Sequence, residues 1–150
     1  MDRSWKPNVT VAAVIHRDGQ YLLVEEETDD GVRFNQPAGH LECCENLLDA
    51  VVREALEETA YHFKPTALLG VYNWRQEEKK ITYLRFAFIG EIYGWEAERK
   101  LDKGIIAARW MSVDEIRACA DQHRSPLILR CIEDHAAGKR YPLELLTHYA

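Results

Sequence analysis

Short runs of apolar residues near the N-terminus predict a β-hairpin. Residues 9–16 and 21–24 are rich in β-branched and other apolar side chains, which favour extended backbone. Asp18 and Gly19 lie between the two runs, and Asp-Gly is a strong signal for a tight hairpin turn. A further short extended segment is predicted at residues 33–36, directly before a loop that contains proline and glycine.

The spacing of apolar residues changes after this loop and predicts a helix from Leu47 to about Thr59. Asn46 is suited to the N-cap position, and Asp49 places negative charge in the first turn, where the helix dipole favours it. We expect this helix to keep its acidic residues apart from an apolar face. The predicted apolar face contains Leu48, Val52, Ala55 and Leu56.

Three further strands are predicted in the second half of the chain, near residues 67–74, 81–92 and 105–111. Residues 76–80 are polar and separate the first two of these strands. A length of 150 residues suits one unit with one core, so residues 1–150 are expected to form a single domain.

Two shorter helices are predicted towards the C-terminus. Ser112 and Glu115 have the spacing of a capping box, which starts a helix through Ala120. Pro126 suits the first position of the next helix, and Gly138 suits the position after its last turn. The order of all these elements predicts strands packed between helices.

Composition and charge narrow the range of functions. A net charge of −6 argues against nonspecific binding of nucleic acid, which depends on Lys and Arg. The apolar runs are short, and the N-terminal residues 1–8 have neither an apolar segment nor an Arg-rich amphipathic pattern. We therefore expect no membrane span, no targeting peptide and a cytoplasmic location. The cysteines lack zinc or disulfide spacing and are expected to be reduced thiols.

Three glutamates on the predicted helix carry the strongest indication of function. Glu54, Glu57 and Glu58 fall within an arc of about 100° on a helix. Like charges at this spacing disfavour a helix, and Arg53 is the one cation nearby. Hard divalent cations take oxygen ligands and usually lie between carboxylates and substrate phosphates. The stripe predicts half of a site for Mg²⁺, with Mn²⁺ as a substitute; the alternative is a solvated acidic face.

The order of these residues resembles the signature of the Nudix hydrolases. Two positions depart from that signature: Ala60 stands where the family has its second glycine, and Tyr61 where it has an aliphatic residue. That glycine matches a helix C-terminal position that favours left-handed backbone, so the first departure affects loop geometry. The resemblance implies an α+β protein with the Nudix fold, an α/β/α sandwich with a mixed β-sheet. The matching positions are Gly39, Glu45, Arg53, Glu54, Ala55, Glu57 and Glu58.

Segments outside the signature resemble one branch of this family, a group of bacterial phosphatases. They include residues 9–12, 35–42 and the RYPLE sequence at 140–144. The resemblance implies Mg²⁺-dependent hydrolysis of nucleoside tri- and diphosphates, and of the pyrophosphate ester of the thiamine pyrimidine, with release of orthophosphate. One alternative is a Nudix enzyme that releases pyrophosphate or cleaves nucleotide sugars or dinucleoside polyphosphates. Another is a Nudix-fold module that binds nucleotide without hydrolysing it.

The same resemblance implies roles for the signature residues. The three glutamates and the carbonyl of Gly39 hold the cation, which lowers the pKa of a bound water. One glutamate acts as proton acceptor instead, and Glu54 or Glu57 is favoured for that role. Arg53 orients a neighbouring glutamate, and Glu45 pairs with Arg53. Asp102, outside the signature, is a further candidate ligand, and the alternative for the Arg53 pairing is an ordinary surface contact.

Polar residues beside the glycine loop are candidates for contact with the substrate. Asn35 and Gln36 precede the loop directly, and their alternative role is to cap it. Arg85 interrupts an apolar strand, although alternation alone could expose it, and Arg75 lies on the preceding strand. Trp74 is a candidate for stacking on a ring. Weaker candidates are Arg33, Lys79 and Lys80, of which the two lysines fit a solvated turn.

The expected partner is a small phosphorylated molecule, a nucleotide above all. A bound cation and a few placed basic groups can neutralise such a substrate locally, so the overall acidity of the chain does not exclude it. No nucleic-acid or membrane partner is expected. The sequence leaves the oligomeric state open and favours a monomer.

Overall fold

The structure is a computed structural model that describes residues 3–150, so part of the N-terminal segment considered above lies outside the described residues. Its helices are α1 (Leu47–Thr59), α2 (Val113–Ala118) and α3 (Leu127–Ala136). Its strands are β1 (Asn8–Arg17), β2 (Gln20–Thr28), β3 (Gly31–Asn35), β4 (Ala38–His40), β5 (Tyr61–Gln76), β6 (Ile81–Trp95) and β7 (Ile105–Ser112). Short 3-10 turns occupy Ala120–Gln122 and Leu143–Leu145.

The seven strands form one mixed sheet with the order β3-β2-β1-β6-β5, while β4 pairs with β1 and β7 pairs with β2. The central pair β1 and β6 is parallel, and the other pairs are antiparallel. The short strand β4 lies beside β1 with Gly39 opposite Val11, which brings the glycine loop to the centre of the sheet.

The two faces of the sheet pack against different helices. Alternate residues of β1 belong to separate clusters, because successive side chains of a strand point to opposite faces. Ala12 and Val14 pack with residues of α2 and α3, whereas Val11 and Ala13 pack with residues of α1. This arrangement confirms the predicted α/β/α layers around a mixed sheet. That residues 1–150 form a single domain stays a prediction.

Most predicted elements are present, and the predicted caps of α1 and α2 match, whereas Pro126 lies just before α3 and not at its first position. The side chain of Asn46 accepts a hydrogen bond from the backbone N–H of Asp49 at 2.7 Å, and Ser112 and Glu115 form a reciprocal capping box. All four cysteines are free thiols, as predicted. None of the helices within residues 3–150 has the length and apolarity needed to cross a membrane.

The predicted boundaries of two strands and one helix were wrong. The strand expected near residues 67–74 runs over Tyr61–Gln76, and its partner extends to Trp95. The sequence between residues 61 and 66 contains Pro65, which interrupts a regular ladder. Register shifts on either side of this proline accommodate it, and the pairing with β6 continues through them. The helix predicted through Ala120 ends at Ala118.

The predicted apolar face of α1 was right for Leu48 and Ala55, which belong to the cluster on this side of the sheet, and wrong for the other two residues. Ala50, Val51 and Ala55 are the apolar residues of α1 that the sheet buries, while Val52 and Leu56 are only partly buried. The buried face also contains acidic residues of the signature, so acids and core are not kept apart as expected. Glu54 and Glu58 are buried on the same side of α1 as Ala50, Val51 and Ala55.

Ala60 occupies the left-handed position at the end of α1. Its φ is 65°, and its backbone N–H donates to the carbonyl of Leu56 at 2.9 Å. The chain thus keeps the geometry expected of the missing signature glycine, with an L-residue in a conformation that costs about 1–2 kcal/mol.

We expect Ala60→Gly to raise the free energy of unfolding by about 0.5–1 kcal/mol, because relief of backbone strain exceeds the added entropy of the unfolded chain. Thermal or urea unfolding measures this change. The matched control is Ala137→Gly, since Ala137 is exposed with φ −77°; this variant should lose about 0.5–1 kcal/mol. Equal losses in both variants would contradict the strain at Ala60.

Candidate active site

A cleft of about 570 Å³ lies where β1, β3, β4, β5 and β6 meet side chains of α1. Five of the predicted site residues line it: Asn35, Gly39, Glu54, Glu58 and Arg85. Gln36 and Arg53 contact members of this group from behind, and Glu57 lies beside it. Residues separated by more than 40 positions along the chain therefore meet in one place.

Gly39 is required at its position by the close approach of Glu54. A Cβ built on Gly39 would overlap the Glu54 carboxylate, so a larger residue could not leave both in place. The neighbouring backbone is equally involved, because the N–H of Ala38 donates to Glu58 Oε1 at 2.9 Å. Strand β4 thus holds the glycine loop directly against two of the signature glutamates.

Arg53 connects the signature residues by several hydrogen bonds. It binds Glu45 through two nitrogens, at 2.7 Å from Nε and 3.0 Å from Nη2, as the predicted pairing requires. Its Nη1 donates to Glu54 at 2.7 Å and to Glu57 at 3.2 Å, and Nη2 donates to the carbonyl of His40 at 3.1 Å. A planar guanidinium with five donors can hold all these acceptors at once, so Arg53 sets the orientation of both glutamates.

Burial strongly perturbs the acids of this cluster. It raises the pKa of Glu58 to about 9 and that of Glu54 to about 7. Burial, followed by the charge of Asp102, also raises the pKa of Glu57. The backbone N–H of Asp102 donates to the carbonyl of Glu57 at 3.0 Å, so this candidate from outside the signature lies beside the cluster. By contrast, the hydrogen bond from Arg53 lowers the pKa of Glu45.

The donor set has the chemistry that a hard divalent cation requires. Among residues 3–150, no three carboxylate, imidazole or thiol groups are arranged as a ready-made cage for a metal ion. The glutamate oxygens instead bind Arg53 and a backbone N–H. However, the acidic side chains offer carboxylate oxygens as ligands, and two of these glutamates are buried. A single arginine pairs with several of the carboxylates, so their negative charge exceeds its positive charge. A cation would favour the ionised forms that burial disfavours, so these residues fit such an ion.

The raised pKa values predict that the metal-free protein becomes less stable as pH rises from about 5 to about 9. In this interval the folded chain holds more protons on Glu54 and Glu58 than the unfolded chain, whose glutamates titrate near 4.5. The free energy of unfolding therefore falls with pH, and excess Mg²⁺ should flatten the slope. Thermal unfolding across this range, in EDTA and in Mg²⁺, measures it. A slope in EDTA that is unchanged in Glu58→Gln would contradict this cause.

Arg85 forms a second charged centre in the cleft. Its side chain is buried, and Nη1 and Nη2 donate to the amide oxygens of Gln36 at 2.8 Å and Asn35 at 2.9 Å. Gln36 is anchored in turn by a 2.9 Å bond from Nε2 to the carbonyl of Ile128 in α3. The side chains that hold the guanidinium are neutral amides, so its charge is available to an anion in the cleft. Alternation does not expose Arg85 to solvent, contrary to the alternative considered above.

The other predicted cations lie in less favourable places. Arg75 is exposed and pairs with Glu77 at 2.8 Å, outside the described lining of the cleft. Its neighbours Trp74 and Gln76 line the cleft, and alternation along β5 turns Arg75 to the opposite face. The structure therefore does not bring Arg75 together with the other site residues. Arg33 and Lys79 line the rim of the cleft.

Tyr83 and Arg124 are among the residues of the cleft to which sequence reasoning assigned no role. Tyr83 lies two positions before Arg85 on β6, so the period of a strand would have placed both on one face. Arg124 follows the 3-10 turn after α2 and donates to the buried Glu26 at 2.6 Å. Residues 124–127 belong to a segment that resembles the same branch of the family, but the contact of Arg124 joins residues 98 positions apart and so was not predicted.

Comparison with known proteins identifies the family of this chain. The NUDIX domain family model matches residues 6–131. Phosphatase NudJ of Escherichia coli K12 is 39% identical over 145 residues, which cover 97% of this chain and 94% of that protein. A NUDIX hydrolase from Nitrosomonas europaea has a TM-score of 0.94 and 53% identity, with 96% of this chain and 98% of that chain covered.

A more distant structure shows the same fold. The MutT NUDIX hydrolase from Burkholderia pseudomallei has a TM-score of 0.74 at 21% identity, with 87% of this chain and 98% of that chain covered. The predicted Nudix fold is thus confirmed by the family match and by the solved structures together. The chain belongs to the Nudix hydrolases.

Proposed function

We propose that this Nudix hydrolase uses Mg²⁺, with Mn²⁺ as a substitute, to release orthophosphate from nucleoside tri- and diphosphates. The thiamine pyrimidine pyrophosphate is a further proposed substrate. The observation that carries the proposal is the pairing, in one cleft, of buried glutamates with a buried arginine that neutral amides hold. Binding of a polyphosphate requires two kinds of group: carboxylates that bind a cation, and a guanidinium that binds phosphate.

The signature residues have defined roles in this proposal. Glu54, Glu57 and Glu58 would hold the cation together with the carbonyl of Gly39, except that one of the first two would act instead as proton acceptor. When bound, the cation supplies a water of lowered pKa and positive charge beside the phosphate oxygens. Arg53 keeps two of the glutamates in position through its hydrogen bonds.

One glutamate takes up the proton of the attacking water. The candidates are Glu54 and Glu57, and the one that takes up the proton would do so instead of serving as a ligand of the cation. Arg85 donates to phosphate oxygens, and Asn35 and Gln36 fix its guanidinium plane.

The identity to phosphatase NudJ supports orthophosphate as the product, since it extends over nearly the whole of both chains. We propose that the enzyme acts in the cytoplasm as a monomer on small phosphorylated substrates, without a nucleic-acid or membrane partner.

Assays with purified protein test the proposal. GTP, GDP and the thiamine pyrimidine pyrophosphate are incubated with Mg²⁺ or with EDTA, and phosphorus NMR identifies the products. Mg²⁺-dependent orthophosphate from tri- and diphosphates is the expected result. Release of pyrophosphate from triphosphates would contradict the proposal, and so would cleavage of nucleotide sugars or dinucleoside polyphosphates alone. Either result would favour the alternative Nudix activity. Tight binding of nucleotide without turnover of any of these compounds would instead indicate a binding module.

A further inference from the structure

We infer that Trp74 and Tyr83 form a subsite that binds a flat aromatic ring of the substrate by stacking. The inference rests on the proposed function and extends it, because it assigns the part of the substrate that the acids and Arg85 do not hold. The ligand class is a phosphate ester that carries a nucleobase or a similar planar ring, as opposed to a sugar phosphate or an inorganic polyphosphate.

The two rings form one wall of the cleft. Trp74 on β5 lies directly opposite Tyr83 on β6, their ring centroids are 5.6 Å apart, and their planes differ by 18°. Both side chains are half-buried, and both line the cleft. A pair of nearly parallel rings at the edge of a cleft offers a flat apolar surface to a third ring.

The position of this pair fits the order of the other groups. Gly39, against which the Glu54 carboxylate lies, is on β4; β4 pairs with β1 and β1 pairs with β6, so the backbones of β4 and β6 are two strand spacings apart, about 10 Å. Tyr83 lies two residues from Arg85 on the same face, about 7 Å along β6. The order across the cleft is therefore acids, cation and aromatic pair. A substrate whose reacting phosphate lies at the acids places its far end at the rings.

Contacts between the hairpin tips enclose this end of the cleft. Lys79 in the β5–β6 turn pairs with Asp30 in the β2–β3 turn at 3.4 Å, and both line the cleft. Gln76 lies on the same face of β5 as Trp74 and lines the same end. Stacking accepts any planar base, because every base has a π face. We therefore expect the subsite to bind substrates with different bases and to bind substrates without a ring more weakly.

Kinetics with GTP test the subsite. Trp74→Ala and Tyr83→Ala should each raise KM about 10-fold with kcat little changed, and Trp74→Phe should restore most of the lost affinity. Trp95→Ala is the matched control, since Trp95 is exposed, stacks on Tyr61 and lies outside the cleft lining. It should leave KM unchanged. An unchanged KM in both cleft alanine variants, or a loss of kcat alone, would overturn the inference in favour of simple packing between strands.

A binding measurement separates this inference from the proposed function. Calorimetry with AMP and with ribose 5-phosphate compares the same phosphate with and without a base. Wild type should bind AMP about 10-fold more tightly, and Trp74→Ala should lose that preference. If the protein prefers AMP to ribose 5-phosphate but hydrolyses no nucleotide, the ring subsite is supported and the proposed hydrolysis is wrong. Equal binding of both compounds by wild type would overturn the ring subsite even if hydrolysis is confirmed.

Discussion

Replacing Glu58 by glutamine is expected to lower Mg²⁺-dependent phosphate release by at least about 100-fold without unfolding the protein. Loss of one group that stabilises developing charge in a water-poor site has effects of this size or larger. Glutamine cannot ionise and is a poor ligand for a hard cation, yet its oxygen can still accept the 2.9 Å hydrogen bond from the N–H of Ala38. Glu57→Gln should cause a comparable loss, because Glu57 belongs to the same acid cluster.

The stability of the Glu58→Gln variant makes this prediction specific. Because burial raises the pKa of Glu58 to about 9, that side chain is already largely neutral at pH 7 in the metal-free protein. The variant should therefore unfold in EDTA at the temperature of wild type or above it, and it should gain less than wild type from added Mg²⁺. Glu133→Gln, at an exposed position of α3, is the matched control with normal turnover. Full turnover in both Glu57→Gln and Glu58→Gln would show that these glutamates do not hold a cation that the reaction requires.

The second large effect is expected for Arg53→Lys, which should lower kcat about 100-fold and destabilise the fold by about 2 kcal/mol. An ammonium group is a single point charge, so lysine cannot bind Glu45 at two positions and hold Glu54 and Glu57 as well. The glutamates would lose their orientation while their charges remain, which affects kcat more than KM. Hydrogen bonds to charged groups are worth about 1.5–3 kcal/mol each, and lysine retains some of them.

The control for this prediction is Arg109→Lys. Arg109 also contacts a glutamate through two nitrogens, at 3.0 and 2.8 Å from Glu25 Oε1, but its side chain is half exposed and lies outside the cleft lining. Such a surface pair contributes about 0–1 kcal/mol, so activity and stability should change little. Steady-state kinetics and urea unfolding compare the two variants. Similar small effects in both would show that Arg53 forms an ordinary surface pair.

Local signals predicted much of the frame that carries the site. Asn46 starts α1 where expected, since an N-cap depends on a side chain and a backbone group three residues apart. The hairpin of β1 and β2 and the capping box of Ser112 are equally local, and they too are confirmed. The spacing of the signature also identified the residues that meet at Arg53, because most of them lie on one helix or on the loop before it.

Local signals did not determine how these elements turn towards each other. The predicted apolar face of α1 shares Ala55 with the face that the sheet buries, but the buried face also carries Glu54 and Glu58, which the pattern did not place there. A helical pattern records which residues are apolar. It does not record which side of the helix packs on the sheet, where small residues allow close packing. Burial of these two glutamates raises their pKa values, so the sequence pattern alone could not predict the shifts.

The amino-acid sequence by itself determined the family, the order of strands and helices, and the cluster of acids around Arg53, since these depend on spacing within short segments. The tertiary structure decided that Arg85 is buried between two amides, that Arg75 faces away, and that Trp74 meets Tyr83 at the far end of the cleft. The physical reason is that charge, burial and stacking at these positions arise from strand register and from contacts between distant segments. Such contacts exist only once the sheet has formed.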